Sequence, residues 1–232
     1  MDYKAPKFNE KIEKVYLSRF SSRRYKFFQF LEKIYKKFIN NKDGRIEFIV
    51  DYISQVKPKF ILEVGSGVFP IYPFLPLVLR KECEYYICET NKEKVQYLQK
   101  QYPHLKIKVA NALLLPYQDN CFDLVFSKGV FHHIDDNDSQ KRIEKKINFL
   151  KESRRVLKKN GTNLLMDFCY TPRRFKDFFW HKLYKIILWE SDYNYLNRLE
   201  VEKLFRSANY KKIESYEIDT FKGLYYCVIG KK

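Results

Sequence analysis

The feature that most constrains this chain is a five-residue apolar run, Phe60–Val64, that stops on Gly65-Ser66-Gly67. It is preceded by Lys57-Pro58-Lys59, where the proline biases the backbone toward extended structure. A run this short that ends on glycines reads as a buried strand entering a tight turn. The pattern recurs at residues 84–88, 105–110, 122–127 and 162–168. Helical patterns lie between the runs. Thr90-Asn91-Lys92-Glu93 opens one with the spacing of a capping box, and another spans about 139–158 before Asn160-Gly161 closes it. Residues 198–208 read as a further helix, and 212–218 with 224–230 as two strands joined by a short turn. Strands that alternate with helices belong to the α/β class: a doubly wound, mostly parallel sheet, here of seven strands with an antiparallel C-terminal hairpin.

The first 57 residues have a different texture. Within 24–39, Phe27, Phe30, Leu31, Ile34 and Phe38 recur every three or four positions, with lysines opposite. Ser21 and Ser22 are suitable N-caps, Asn40-Asn41-Lys42-Asp43-Gly44 is a turn, and residues 45–55 form a second helix. The organisation expected is an N-terminal helical cap over 1–57 and a core over 58–232. With 232 residues, 45% hydrophobic, the chain can bury a core, which excludes a disordered or fibrous protein. Its longest apolar run, residues 69–79, is broken by Pro70, Pro73 and Pro76 and is too short to span a bilayer. The opening MDYKAPKFNEKIEK has no apolar signal region. Five scattered cysteines without a CxxC argue against a disulfide framework and against a metal site, and fit the cytoplasm.

The net charge of +17 is uneven: +8 over residues 1–60, −2 over 61–140 and +11 over 141–232. A basic shell around a near-neutral centre attracts phosphates, nucleic acid or anionic lipid. The same bias follows from composition alone, since lysines outnumber arginines 33 to 12 and there are only four alanines. Both readings stay open.

In doubly wound sheets, ligands bind beyond the carboxyl ends of the strands, near the point where strand order reverses. Here those ends carry Glu63-Val64-Gly65-Ser66-Gly67, then Glu89, Asn111-Ala112, and Ser127-Lys128-Gly129. Gly65 and Gly67 let backbone approach a ligand, and Glu89 stands where a carboxylate accepts ribose hydroxyls. A dinucleotide fingerprint needs a third glycine where Pro70 stands, and the prolines that follow remove N–H donors for a phosphate. With no GKS or GKT either, the expected ligand has a ribose and no obligatory phosphate.

These motifs resemble the class I S-adenosylmethionine-dependent methyltransferases, in particular the small-molecule group. Ile61-Leu62-Glu63-Val64-Gly65-Ser66-Gly67 is similar to the first motif of that family, and Tyr86-Ile87-Cys88-Glu89-Thr90 to its ribose-acid motif. Ala110-Asn111-Ala112 with Leu115-Pro116-Tyr117 resembles the Gly-Asp-Ala and Leu-Pro-Phe elements. Phe122-Asp123-Leu124-Val125-Phe126-Ser127, Val130-Phe131-His132-His133-Ile134 and Arg155-Val156-Leu157-Lys158-Lys159-Asn160-Gly161 follow in the family's order, over residues 58–232.

The resemblance implies a Rossmann-like sheet that binds S-adenosyl-L-methionine. Gly65, Ser66 and Gly67 would line its methionine end, with Glu63 near the ammonium. Glu89 and Thr90 would stand at the ribose, Asn111 and Ala112 at the adenine, and Ser127, Lys128 and Gly129 would close the pocket. The sequence departs from the family at Phe69, where many members have a third glycine, and at Asn111, where aspartate is usual. An amide oxygen still accepts a hydrogen bond from an adenine amine. The prolines after the motif should delay the first core helix.

His133 and His132 are the catalytic candidates, with His133 slightly favoured: either could take a proton from an acceptor. Adjacent side chains diverge, so the pair is a poor metal site, and Asp135, Asp136 and Asp138 read as a turn and helix cap. Residues 175–189 interleave Phe178, Phe179 and Trp180 with Lys176 and Lys182. They read as a lid within an insertion at about 171–195, as an interfacial helix touching a membrane peripherally, or as a core-packing helix. The chain lacks an RNA-binding module and the Asn/Asp-Pro-Pro-Tyr motif of nucleobase amino methyltransferases, which disfavours nucleic acid as partner. The expected activity is methyl transfer to an oxygen or nitrogen of a small-molecule, glycan or lipid-type acceptor. The alternatives are an RNA methyltransferase that uses the basic surface and an inactive methyltransferase fold that serves as a binding module.

Overall fold

The computed structural model describes residues 44–169, 182, 195–220 and 223–232. The expected helix at 24–39 and most of the 171–195 insertion lie outside the described residues. In chain order, α1 (Gly44–Val56) leads into β1 (Phe60–Val64), a 3-10 turn (Tyr72–Phe74) and α2 (Leu77–Glu82). There follow β2 (Glu84–Glu89), α3 (Lys92–Gln101), β3 (Lys106–Val109), β4 (Phe122–Lys128) and a second 3-10 turn (Phe131–His133). The series closes with α4 (Ser139–Val156), β5 (Leu157–Phe168), α5 (Arg198–Ser207), β6 (Lys211–Thr220) and β7 (Gly223–Lys231).

The seven strands form one sheet in the order β3-β2-β1-β4-β5-β7-β6. Strands β1 to β5 pair in parallel, and β7 runs antiparallel between β5 and β6. Strand order reverses between β1 and β4, which is where a doubly wound sheet opens its crevice.

Alternation along β1 assigns the two faces. Ile61 packs with Ile87, Phe126 and Met166 against Ile49 and Ile53 of α1, Leu79 of α2, and Val95 and Leu98 of α3. Leu62 and Val64 face the other way, with Val125, Leu165 and Val228 against Phe149 and Leu150 of α4 and Val201 and Phe205 of α5. The period of two in each strand thus sends one apolar set to each helical layer.

Two local expectations are corrected. The N-cap of α3 is Asn91, whose side chain accepts from the Lys94 N–H at 3.0 Å, whereas the Thr90 hydroxyl turns to Glu89 Oε1 at 3.2 Å. The carboxylate is the stronger acceptor, so Thr90 is drawn off the helix end. The Asn160-Gly161 pair does not close α4, which stops at Val156. It lies inside β5 as an irregularity, with Asn160 at φ 65° and the register against β4 shifted between Phe122 and Leu124. The prolines act as expected: a single 3-10 turn precedes the six-residue α2.

Candidate cofactor pocket

The parallel strands end level with one another. Val64 pairs with Cys88 on one side and Ser127 on the other, Glu89 with Val109, and Lys128 with Met166. The ladder continues one residue further, with N–H donations from Gly65 to Cys88 O at 2.7 Å, Ala110 to Glu89 O at 3.0 Å and Gly129 to Met166 O at 2.9 Å. Beyond this edge lies a cavity of about 550 Å³, walled by Gly65–Phe69, Glu89–Asn91, Ala110–Leu113 and Lys128–Val130, with His133 and Asp135 at one side.

Gly65, Gly67 and Gly129 have φ of 71°, 63° and 68°, the left-handed region that side chains rarely adopt. A Cβ on Gly65 would stand 2.4 Å from Val130 Cγ2, whereas one on Gly67 meets nothing within 4 Å. Gly65 is therefore needed for packing, and Gly67 keeps a stretch of backbone open to the cavity.

Glu89 is only 7% exposed and organises this wall. Its Oε2 accepts from the Gly67 N–H at 3.0 Å, and its Oε1 from the Asn91 N–H at 3.1 Å and the Thr90 hydroxyl. A carboxylate offers about four acceptor positions, so one remains, and a second opens if the Thr90 hydroxyl rotates. Two such acceptor positions fit the hydroxyls of a vicinal diol.

The cavity brings together Gly65, Ser66, Gly67, Glu89, Thr90, Asn111, Ala112, Lys128, Gly129 and His133 from the expected set. Glu63, Ser127 and His132 are not among its lining residues. Asn111 spends its Oδ1 on the Leu113 N–H at 2.9 Å, pinning the loop after β3, so an adenine amine would have to share that acceptor. Phe69 closes the turn through its N–H to Ser66 O at 3.2 Å, so the loop keeps a tight turn without the third glycine.

Glu63 lies on the α1–α3 face of β1, 1% exposed. Its Oε2 accepts from the Tyr85 hydroxyl at 2.7 Å and the Ile71 N–H at 3.0 Å, tying the 66–75 segment to the sheet, while Oε1 has no hydrogen-bond partner among the described residues. Burial pushes its carboxyl up from 4.5 to about 7, against the opposing pull of Tyr85, Lys128 and Ile71. A carboxyl raised on folding holds more protons in the native state than in the unfolded one. Its effect is absent below about pH 4.5, grows as pH rises, and is complete above about pH 7. Stability should therefore fall across that window by on the order of 3 kcal/mol, and Glu63→Gln should flatten the fall. Denaturant melts of both proteins at pH 5 and pH 8 check this; equal pH dependence in the two would refute it.

Two residues that sequence reasoning missed sit behind the cavity. Asp167, at the end of β5, is 1% exposed and bonds His132, its Oδ1 lying 2.6 Å from the ring Nδ1. Lys146 occupies the buried stripe of α4, in sequence with Phe149, Leu150 and Ser153. Its ammonium donates to Phe131 O and lies 4.5 Å over the Phe131 ring, and burial pushes it down to about 8. A lysine on the apolar stripe of a helix was the signal for Lys146. Asp167 gave none, because its partner His132 lies 35 residues away along the chain.

Comparisons with known proteins agree with this geometry. Residues 62–165 match the family model described as a methyltransferase domain. An uncharacterized methyltransferase of Schizosaccharomyces pombe is 29% identical over 115 residues, half of this chain; the chain spans about 41% of that protein's length. A SAM-dependent methyltransferase from Aquifex aeolicus superposes with a TM-score of 0.55 at 20% identity, covering 97% of this chain and 99% of the other. One from Thermotoga maritima gives 0.58 at 15% identity, covering 82% and 97%. At such identities the structural likeness speaks for the fold, and the family match for its type. Over residues 62–165 the chain carries a methyltransferase domain similar to those of the class I S-adenosylmethionine-dependent methyltransferases.

Proposed function

We propose that this protein moves a methyl group from S-adenosylmethionine to an oxygen or nitrogen of a small-molecule, glycan or lipid-type acceptor. The observation that carries the reading is the Glu89 carboxylate held at the floor of a glycine-walled cavity at the strand-order reversal. The bound cofactor would supply a sulfonium-activated methyl. The chain's own part is to bind and align: Glu89 toward the ribose hydroxyls, the Gly65–Gly67 backbone toward the amino-acid end, and Asn111 and Ala112 toward the adenine. Alignment alone accounts for up to ~7–11 kcal/mol of barrier in good intramolecular cases, so little further machinery is required. In this reading, residues 1–57 cap the core and the insertion at about 171–195 covers the acceptor.

No helix among the described residues is long and apolar enough to cross a membrane, and no group of three or more His, Cys, Asp or Glu among them is arranged to hold a metal ion. All five cysteines are free thiols, in keeping with a reducing cytoplasm.

The test is calorimetric titration with S-adenosylhomocysteine, where micromolar affinity is expected. No binding would leave only the reading of an inactive fold used as a binding module. Labelled methyl transfer into fractionated lysate, repeated from 50 to 200 mM salt, then separates acceptor classes. A small acceptor is expected to give a nearly flat response, whereas RNA methylated through the basic surface should lose at least about tenfold.

A further inference from the structure

We infer that three polar side chains on one face of α4, Asn148, Glu152 and Arg155, are positioning residues for the base-recognising wall of the cofactor pocket. None of the three lines the cavity; they fix the loop that does. The inference deepens the methyltransferase reading and rests on it, since it gives that wall to the adenine of S-adenosylmethionine.

The stripe follows from the helix. Positions four and seven apart share a face at 3.6 residues per turn, which aligns Asn148, Glu152 and Arg155. The segment after β3 runs along them. Asn148 Nδ2 donates to Leu113 O at 3.2 Å. Glu152 Oε2 accepts the Leu115 N–H at 2.9 Å and Arg155 Nη2 donates to Leu115 O at 3.0 Å, so both polar backbone atoms of Leu115 are held. Arg155 Nη1 donates to Tyr117 O and to Asp119 Oδ1, each at 2.8 Å. Three alternate residues of the loop are thus fastened, in chain order, along one face of the helix.

Arg155 is the anchor. Its Nε and Nη2 also donate to the Glu152 carboxylate, at 2.8 and 2.9 Å. All five N–H groups therefore have acceptors, the full capacity of a guanidinium. The bonds from Arg155 hold the Glu152 carboxyl below its ordinary range, so it remains an acceptor at neutral pH. Packing supports the same loop. Leu115 is buried in the core with Phe149 and Leu150 of α4, and the Tyr117 ring meets Tyr86 and Phe122 at 5.7 and 4.9 Å between centroids.

The other end of the held segment is the pocket wall. Leu113 lines the cavity and is also the first residue that the stripe holds. Asn111 is braced against it, its Oδ1 accepting the Leu113 N–H and its carbonyl the Leu114 N–H. Between them, the Ala112 N–H donates to no group among the described residues. An open N–H beside an amide oxygen offers one donor and one acceptor. Adenine matches that pair with a ring nitrogen and an amine, whereas hypoxanthine presents a ring N–H and a carbonyl, the reverse. Telling the two bases apart requires the donor and the acceptor to stay in place, and the stripe keeps them there.

The test titrates the full-length protein calorimetrically with S-adenosylhomocysteine and with S-inosylhomocysteine. The probes differ only in the base, so the ratio of their affinities reads the wall, and a general loss of stability leaves that ratio unmoved. Wild type should prefer the adenine probe by at least about tenfold, since the reversed pattern leaves polar groups unpaired. Arg155→Lys keeps the charge with only three donors, and should bring the ratio within about threefold, as should Arg155→Ala. If those variants fail to melt cooperatively, Asn148→Ala decides: the residue is exposed, gives up one hydrogen bond, and should lower the ratio by about threefold. A ratio unchanged in folded variants, or a wild type that binds both probes equally, overturns the positioning role while leaving the methyltransferase reading intact. A wild type that binds neither probe overturns both.

Discussion

Glu89→Ala is expected to reduce affinity for S-adenosylhomocysteine by at least about 100-fold, measured by calorimetric titration against wild type. Two hydrogen bonds from ribose hydroxyls to a charged acceptor are each worth about 1.5–3 kcal/mol, and alanine removes both. The substitution also strands donors within the protein. The N–H groups of Gly67 and Asn91 lose the carboxylate oxygens they now reach at 3.0 and 3.1 Å. The variant should therefore also melt earlier, which by itself would confuse a defect in binding with one in folding. Glu89→Gln separates the two in part, because its one amide oxygen still accepts on one side, from Gly67 or from Asn91 and Thr90, while its NH2 faces the other donor and the charge is gone. It should melt later than the alanine variant and still lose about tenfold in affinity. Unchanged affinity in both variants would remove Glu89 from the cofactor site and, with it, the central support for the proposed activity.

Gly65→Ala should be the most damaging single methyl in the cavity wall. The added carbon would lie 2.4 Å from Val130 Cγ2, well inside contact distance, at a φ of 71°. Overpacking costs about 1–3 kcal/mol, and the left-handed conformation adds roughly 1 kcal/mol for a residue with a Cβ. The expected results are a clear loss in denaturant midpoint and at least about a tenfold loss of S-adenosylhomocysteine affinity, since the clash drives the two walls apart. Adding Val130→Ala should restore most of the stability, leaving only the conformational cost. Gly67→Ala behaves differently. Its Cβ meets no protein atom within 4 Å, so stability should fall only by the conformational term, while the methyl intrudes on the space meant for ligand. A double variant no more stable than Gly65→Ala alone would contradict the assigned contact.

These experiments also mark how far the sequence could be read. The elements were legible because each depends on local pattern. Phe60–Val64 is apolar and glycine-bounded, and the prolines from Pro70 to Pro76 allow only a 3-10 turn and the six-residue α2. The position of Glu89, the proposed ribose acid, was legible for the same reason: it closes a short apolar strand, and parallel pairing brings such ends level. Local pattern failed where two groups compete for one partner. Thr90 has the spacing of an N-cap, but the neighbouring carboxylate takes its hydroxyl, and Asn91 caps the helix instead. The same limit hid the fate of Glu63. Its position in the first motif is plain, yet only the packing of Tyr85 and Ile71 over it turns the carboxyl away from the cavity and into the protein.

The sequence by itself determined the class of fold, the order of its elements and the end of the sheet beyond which the cavity opens. Those follow from hydrophobic period, glycine placement and strand–helix alternation, all of which act within a few residues. Tertiary structure alone decided which groups work as pairs. Asp167 and His132 are 35 residues apart and sit on neighbouring elements only because β5 lies beside β4. Val130 limits Gly65 because β1 and β4 are adjacent at the reversal of strand order. Hydrogen bonds and steric contacts act over about 3–4 Å, and no spacing along the chain encodes which distant residues the sheet will bring that close.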